Sequence, residues 1–193
     1  MSFQEKLYPA PTNSFLKQED LDKRPILDVR NLGIDFGGLT AVDSLDLMVG
    51  RTEITGLIGP NGAGKTTVFN MLTNVYTPTR GSILVDGVST AGKKTYQVNK
   101  MGIARTFQNI RLFKDLTVLD NVLIGMHNDM SYHLVNSVLR LPGYWKQERE
   151  ARQKALELLG IFHMQDMAQL QAGSLPYGAQ RRLEIVRALA SKP

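Results

Sequence analysis

The run Gly59-Pro60-Asn61-Gly62-Ala63-Gly64-Lys65-Thr66-Thr67 constrains this chain more than any other stretch. Its fixed positions follow G-x-x-x-x-G-K-[ST], the pattern of a phosphate-binding loop. The apolar residues from Ile54 to Ile58 precede it and predict a buried strand. The segment Thr66 to Val75 follows and predicts a helix. Gly59, Gly62 and Gly64 let the backbone turn tightly, so that successive N–H groups point inward around an anion. A helix starting near Lys65 adds unpaired N–H groups and the positive end of its dipole. Lys65 is then placed for the β- and γ-phosphates of a nucleoside triphosphate, and the Thr66 hydroxyl for Mg²⁺. Pro60, Asn61, Ala63 and Thr67 complete the expected nucleotide-binding set.

The rest of the composition narrows the field. A chain of 193 residues with 42% hydrophobic content builds a real core, in one domain with room for a subdomain. The net charge of +5 comes from scattered lysines and arginines and reads as solvated surface, so no nucleic-acid partner is expected. The sequence has no cysteine, which excludes disulfides, thiolate zinc sites and thiol chemistry. His127, His133 and His163 share no metal-ligand spacing. No apolar run is long enough for a membrane span. Residues 1–24 carry Glu5, Glu19, Asp20, Pro9 and Pro11, without the apolar centre of a signal peptide, and are expected to form a flexible extension.

Along the chain, Leu27 to Glu53 predicts β-structure. Leu45, Leu47 and Val49 alternate with polar Asp46 and with Met48, and Gly37-Gly38 marks a turn. Ser82 to Val85 predicts a short strand closed by Asp86-Gly87, and Gly102 to Gln108 a core strand. Thr117 to Met126 predicts a helix capped by Thr117, with Val118, Leu119, Val122, Leu123 and Met126 on one face. Pro142-Gly143 reads as a breaker, and Gln147 to Gly160 as a helix with Gly160 at its stop. A last helix runs from about Ala179 to Ala190 on Leu183, Val186 and Leu189.

Three further features accompany the loop. Phe36 precedes Gly37-Gly38 as either an exposed flat face or a core phenylalanine. Arg105-Thr106-Phe107-Gln108 ends in an amide that can both donate and accept. Leu175-Pro176-Tyr177-Gly178-Ala179-Gln180 opens a helix that periodicity alone leaves ordinary. Together, over about 27–193, these residues resemble an ATP-binding subunit of an ABC transporter. The resemblance implies an α/β fold: a P-loop ATPase core with an antiparallel β-subdomain (25–108) and an α-helical subdomain (109–193). It implies ATP and Mg²⁺ as cofactors and Phe36 stacking on adenine. Gln108 would meet the metal and the attacking water, making it and Lys65 the catalytic positions, with Thr66 and Gln108 at the metal. Leu175 to Gln180 would be the signature offered to the ATP held by a second subunit, homo- or heterodimeric.

Two positions depart from the usual signature. Tyr177 replaces a glycine, a variant similar to the branched-chain amino acid import group. Pro176 replaces a serine and removes a hydroxyl and an N–H, which should weaken ATP-driven closure. The segment Gly125 to Arg149 looks like the insertion of the larger ATPase subunit of those importers. The expected partners are a permease and, indirectly, an external solute-binding protein, with the chain peripheral on the inner face of the cell membrane. The alternatives are an exporter subunit of the lipopolysaccharide type and a non-transport nucleotide-dependent interaction module. No Asp-Glu pair occurs in the sequence. The family's Walker B strand and switch histidine are therefore missing, the C-terminal part of the fold is expected to be missing with them, and this polypeptide is expected to hydrolyse essentially no ATP.

Overall fold

The computed structural model describes residues 25–51, 53–129 and 142–193. The expected N-terminal extension and residues 130–141 of the Gly125–Arg149 segment lie outside them. The chain divides into two compact units, one up to Thr95 and one from Tyr96 onward. The loop bearing Gln108 thus belongs with the helices, whereas the sequence placed it at the end of the first part.

In the first unit, β1 (Leu27–Phe36), β2 (Leu39–Val49), β3 (Arg80–Val85) and β4 (Val88–Ser89) form an antiparallel sheet in the order β2-β1-β3-β4. Gly37 and Gly38, both at positive φ, turn β1 into β2 with Phe36 opposite Leu39. Asp86 and Gly87, at φ 49 and 78, make the tight β3–β4 hairpin, the mirror-image turn that suits strand twist. Helix α1 (Lys65–Leu72) lays Val68, Met71 and Leu72 on a core made by Val29, Leu32, Ile34 and Ile83. That apolar face fixes α1 on the sheet and leaves its first turn, with Lys65 and Thr66, at the edge of the core.

The predicted strand before the loop does not form. Residues 53–60 are irregular, and Ile54 and Ile58 are fully exposed; only Leu57 packs against the core. An apolar strand of this kind needs a neighbour to satisfy its N–H and C=O groups, and among the described residues no strand pairs with it. The C-terminal limit of α1 is likewise earlier than predicted, at Leu72.

The second unit is helical. A short α2 (Thr95–Lys100), which the sequence reading had not identified, begins at the division between the units. Helices α3 (Val118–Gly125), α4 (Pro142–Ile161) and α5 (Tyr177–Leu189) enclose a core of Val118, Val122, Leu159, Leu183 and Val186. Thr117 caps α3 as expected, its Oγ1 accepting from the Asp120 N–H at 3.0 Å. Pro142 starts α4 rather than breaking the chain before it, as suits a residue lacking the N–H that a first turn leaves unpaired. The left-handed turn after α4 falls at His163 (φ 53), not at Gly160. Helix α5 starts at Tyr177, two residues before the predicted Ala179, and Leu189 is exposed. The predicted strand from Gly102 to Gln108 is irregular. Side chains of α5 replace a ladder there: the Phe107 N–H donates to Glu184 Oε1 at 3.1 Å, and the Phe107 carbonyl accepts from Arg181 Nη1 at 2.7 Å.

Candidate functional site

The loop 59–67 takes the shape its glycines permit. Gly62 (φ 86) and Gly64 (φ 77) are left-handed. Gly64 is the N-cap of α1, and a Cβ there would lie 2.6 Å from the Ala41 carbonyl oxygen. Only glycine fits both the angle and the space. The Ala63 N–H donates to the Pro60 carbonyl at 3.2 Å, and the Val68 N–H to Gly64 at 2.9 Å, which starts the helix. Lys65 Nζ donates to the carbonyls of Gly59 and Pro60, each at 2.7 Å, so its ammonium sits inside the curve of the loop. The first turn of α1 carries no acidic residue, so its positive end is uncompensated. Asn61, Gly62, Ala63 and Thr66 are exposed, and Thr67 is half-buried. A concave backbone, a helix N-terminus, a lysine and a hydroxyl in this order fit a polyphosphate with its divalent cation.

Phe36, at the end of β1, is 44% exposed and packs edge-on against Tyr76, with ring centroids 5.4 Å apart. It is not in the core. Its neighbours are pinned. Thr40 Oγ1 donates to Asp35 Oδ1 at 2.7 Å, and Arg80 bridges Asp35 (2.9 Å) and Asp43 (2.6 Å). The hydrogen bond to Asp43 raises Arg80 above its ordinary pKa, and Arg80 in turn holds Asp43 below the usual carboxylate range.

In the second unit, Gln108 is exposed on its loop. The signature residues split by burial. Leu175 and Ala179 enter the core, while Pro176, Tyr177 and Gly178 face solvent at the start of α5. Pro176 is the N-cap and provides no side-chain cap. Gln180 turns its amide back to the Leu175 carbonyl at 2.8 Å. A cavity of about 310 Å³ further along α5 is lined in part by Arg105, Phe113, Glu184 and Arg187. Burial lowers the pKa of Arg105 and Arg187 from the ordinary arginine value, with Arg111 adding repulsion at Arg105.

In the second unit two buried polar residues carry no signature in the sequence patterns, Asn121 and Glu184. Each shows only as a polar side chain within the apolar periodicity of its helix, the one signal that could have exposed it. Asn121 Nδ2 donates to the carbonyls of Phe113 (3.0 Å) and Thr117 (2.9 Å), and its Oδ1 accepts from the Phe113 N–H at 3.0 Å. The loop after Gln108 is thereby tied to α3.

Residues 42–193 match the family model described as ABC transporter. The chain is 42% identical over 170 residues to the high-affinity branched-chain amino acid transport ATP-binding protein BraF of Pseudomonas aeruginosa. That match covers 88% of this chain and 67% of the relative. The same figures hold for LivG of Escherichia coli, which carries the same description. Among solved structures, an ATP-binding cassette of an ABC transporter in its ADP conformation superposes with a TM-score of 0.73 at 30% identity, covering 89% of this chain and 66% of that one. A nucleotide-free cassette gives 0.72 at 31%, covering 88% and 66%. The chain thus spans about two thirds of the length of these relatives. With the P-loop, the antiparallel sheet and the helical unit all in place, this chain belongs to the ABC transporter family.

Proposed function

We propose that the chain is the nucleotide-binding part of an importer for branched-chain amino acids. The observation that carries the reading is the Gly59–Thr67 loop, with Lys65 inside its curve and α1 behind it. The relatives that share 42% of its residues are named for branched-chain amino acid transport, which supports the solute class. ATP bound with Mg²⁺ supplies the free energy of phosphoryl transfer to water. The chain's residues would divide the binding work. Backbone N–H groups from Gly62 to Thr66 and the start of α1 hold the phosphates, Lys65 neutralises their charge, and the Thr66 hydroxyl ligates the metal. The half-exposed ring of Phe36 offers an apolar face to the base. Gln108 would sense the metal and the water through its amide.

The exposed Pro176-Tyr177-Gly178 corner would meet the nucleotide of a second ATP-binding subunit, and a permease would be moved by the closure. This places the chain on the inner face of the membrane, with an external solute-binding protein delivering the amino acid. Because the sequence has no Asp-Glu pair to polarise water, the 193-residue polypeptide by itself is proposed to bind ATP weakly and to hydrolyse essentially none. Two experiments test this. Deleting the gene should abolish uptake of labelled leucine, isoleucine and valine, with restoration by the parent gene and not by Lys65→Ala; unchanged uptake refutes the solute class. Steady ATP turnover by the purified chain, abolished by Lys65→Ala, refutes the catalytic part.

A further inference from the structure

The loop that ends in Gln108 is held by its backbone, and the hands that hold it come from α5. Arg181 Nη1 donates to the Phe107 carbonyl at 2.7 Å, and Arg181 Nη2 donates to the Gln108 carbonyl. Glu184 Oε1 accepts the Phe107 N–H at 3.1 Å, and Glu184 Oε2 accepts from Arg181 Nη1 at 3.3 Å. Three backbone groups, one in each of three successive peptide units, are therefore held by two side chains of one helix. Glu184 is only 2% exposed, so its hydrogen bonds are not traded against water and are worth more than surface ones. The same guanidinium also reaches the start of the helix, where its Nε donates to the Tyr177 hydroxyl at 3.2 Å. The Phe107 ring is also gripped, with the guanidinium carbons of Arg105 and Arg111 at 4.9 and 4.6 Å from its centroid.

We infer that Arg181 and Glu184 are positioning residues that hold the Gln108 loop by its backbone, so that a change at the Gln108 amide is passed to the first turn of α5. The inference rests on the nucleotide-sensing role proposed for Gln108. The clamp uses main-chain atoms of Phe107 and Gln108 and leaves the Gln108 side chain uncommitted to it. Tyr177 joins the clamp through Arg181, so the exposed corner of the signature is mechanically continuous with the loop.

Hydrogen–deuterium exchange on the 193-residue chain, with and without Mg·ATP, tests both halves. Without nucleotide, the Phe107 amide should exchange about tenfold faster in Glu184→Ala than in the parent, the weight of one hydrogen bond to such an acceptor. Glu184→Gln keeps an acceptor oxygen and should restore most of that protection. With Mg·ATP, the parent should change its exchange over both 105–111 and 177–183. Arg181→Ala and Glu184→Ala should keep nucleotide affinity and the response of 105–111, and lose the response of 177–183. Unchanged Phe107 exchange, or a response of 177–183 that survives in both variants, overturns the inference. A parent that binds Mg·ATP without any change over 105–111 refutes the sensing role of Gln108 and the relay with it, while the Phe107 amide still decides whether the clamp exists. A parent that binds no Mg·ATP refutes the proposed function itself.

Discussion

Removing the Asn121 amide should unfold the second unit at a much lower temperature. Its side chain is fully buried and makes three hydrogen bonds to the backbone around the Gln108 loop. Their loss is unequal. The Phe113 carbonyl also accepts from the Leu116 N–H at 3.2 Å, and the Thr117 carbonyl from the backbone N–H of residue 121 at 3.1 Å, so both keep a partner in Asn121→Ala. The Phe113 N–H donates to Asn121 Oδ1 and would be left without that acceptor. Losing the acceptor of this part-buried donor costs about 1 kcal/mol, and the two shared carbonyls add about 0.5–1 kcal/mol each. A loss of about 2–3 kcal/mol corresponds to roughly 8–24 °C in Tm for a unit of this size. The chain has a single tryptophan, Trp145 on α4, so its fluorescence follows this unit during a thermal scan. Asn121→Leu restores volume without hydrogen bonds and should be nearly as unstable. A shift below about 4 °C for Asn121→Ala, under one kcal/mol on this scale, or rescue by Asn121→Leu, would refute the reasoning.

Other perturbations probe the two ends of the proposed nucleotide site. Gly64→Ala forces a left-handed alanine whose Cβ meets the Ala41 carbonyl oxygen at 2.6 Å; it should weaken Mg·ATP binding by about tenfold or more in calorimetry. Pro176→Ser puts a capping hydroxyl where α5 has none and should stabilise the helix by about 1 kcal/mol and strengthen ATP-dependent self-association in sedimentation; unchanged association would show that Pro176 does not restrain closure. Asp43 is held below its ordinary pKa by Arg80. Its contribution to stability is thus present at neutral pH and lost as pH falls below the ordinary aspartate range and through its lowered folded value. Asp43→Asn should flatten that acid limb in a series of melting temperatures against pH.

How far the sequence spoke for the molecule depended on whether a signal was local. The Gly59–Thr67 loop, the Gly37-Gly38 and Asp86-Gly87 turns and the Thr117 cap are written in adjacent residues, because each is a backbone angle or a short-range hydrogen bond. The Ile54–Ile58 segment was misread because apolarity reports the wish for a neighbour and not its presence. A strand exists only where another edge receives its hydrogen bonds. The same reason defeated the strand expected at Gly102–Gln108, where the backbone partners of Phe107 are side chains 74 and 77 positions away. No periodicity encodes such a contact. Asn121 and Glu184 left only the trace of a polar residue on an apolar helix face. Phe36 shows the opposite limit: pattern left it even between core and surface, and only the fold placed it against Tyr76 with nearly half its surface exposed.

Every proposed role of this chain depends on nucleotide binding at the Gly59–Thr67 loop. Calorimetric titration of the purified chain with Mg·ATP, beside Lys65→Ala, tests it most directly. Saturable one-to-one binding that is lost in Lys65→Ala is the predicted result. No binding by the parent, or binding that Lys65→Ala leaves unchanged, would contradict it.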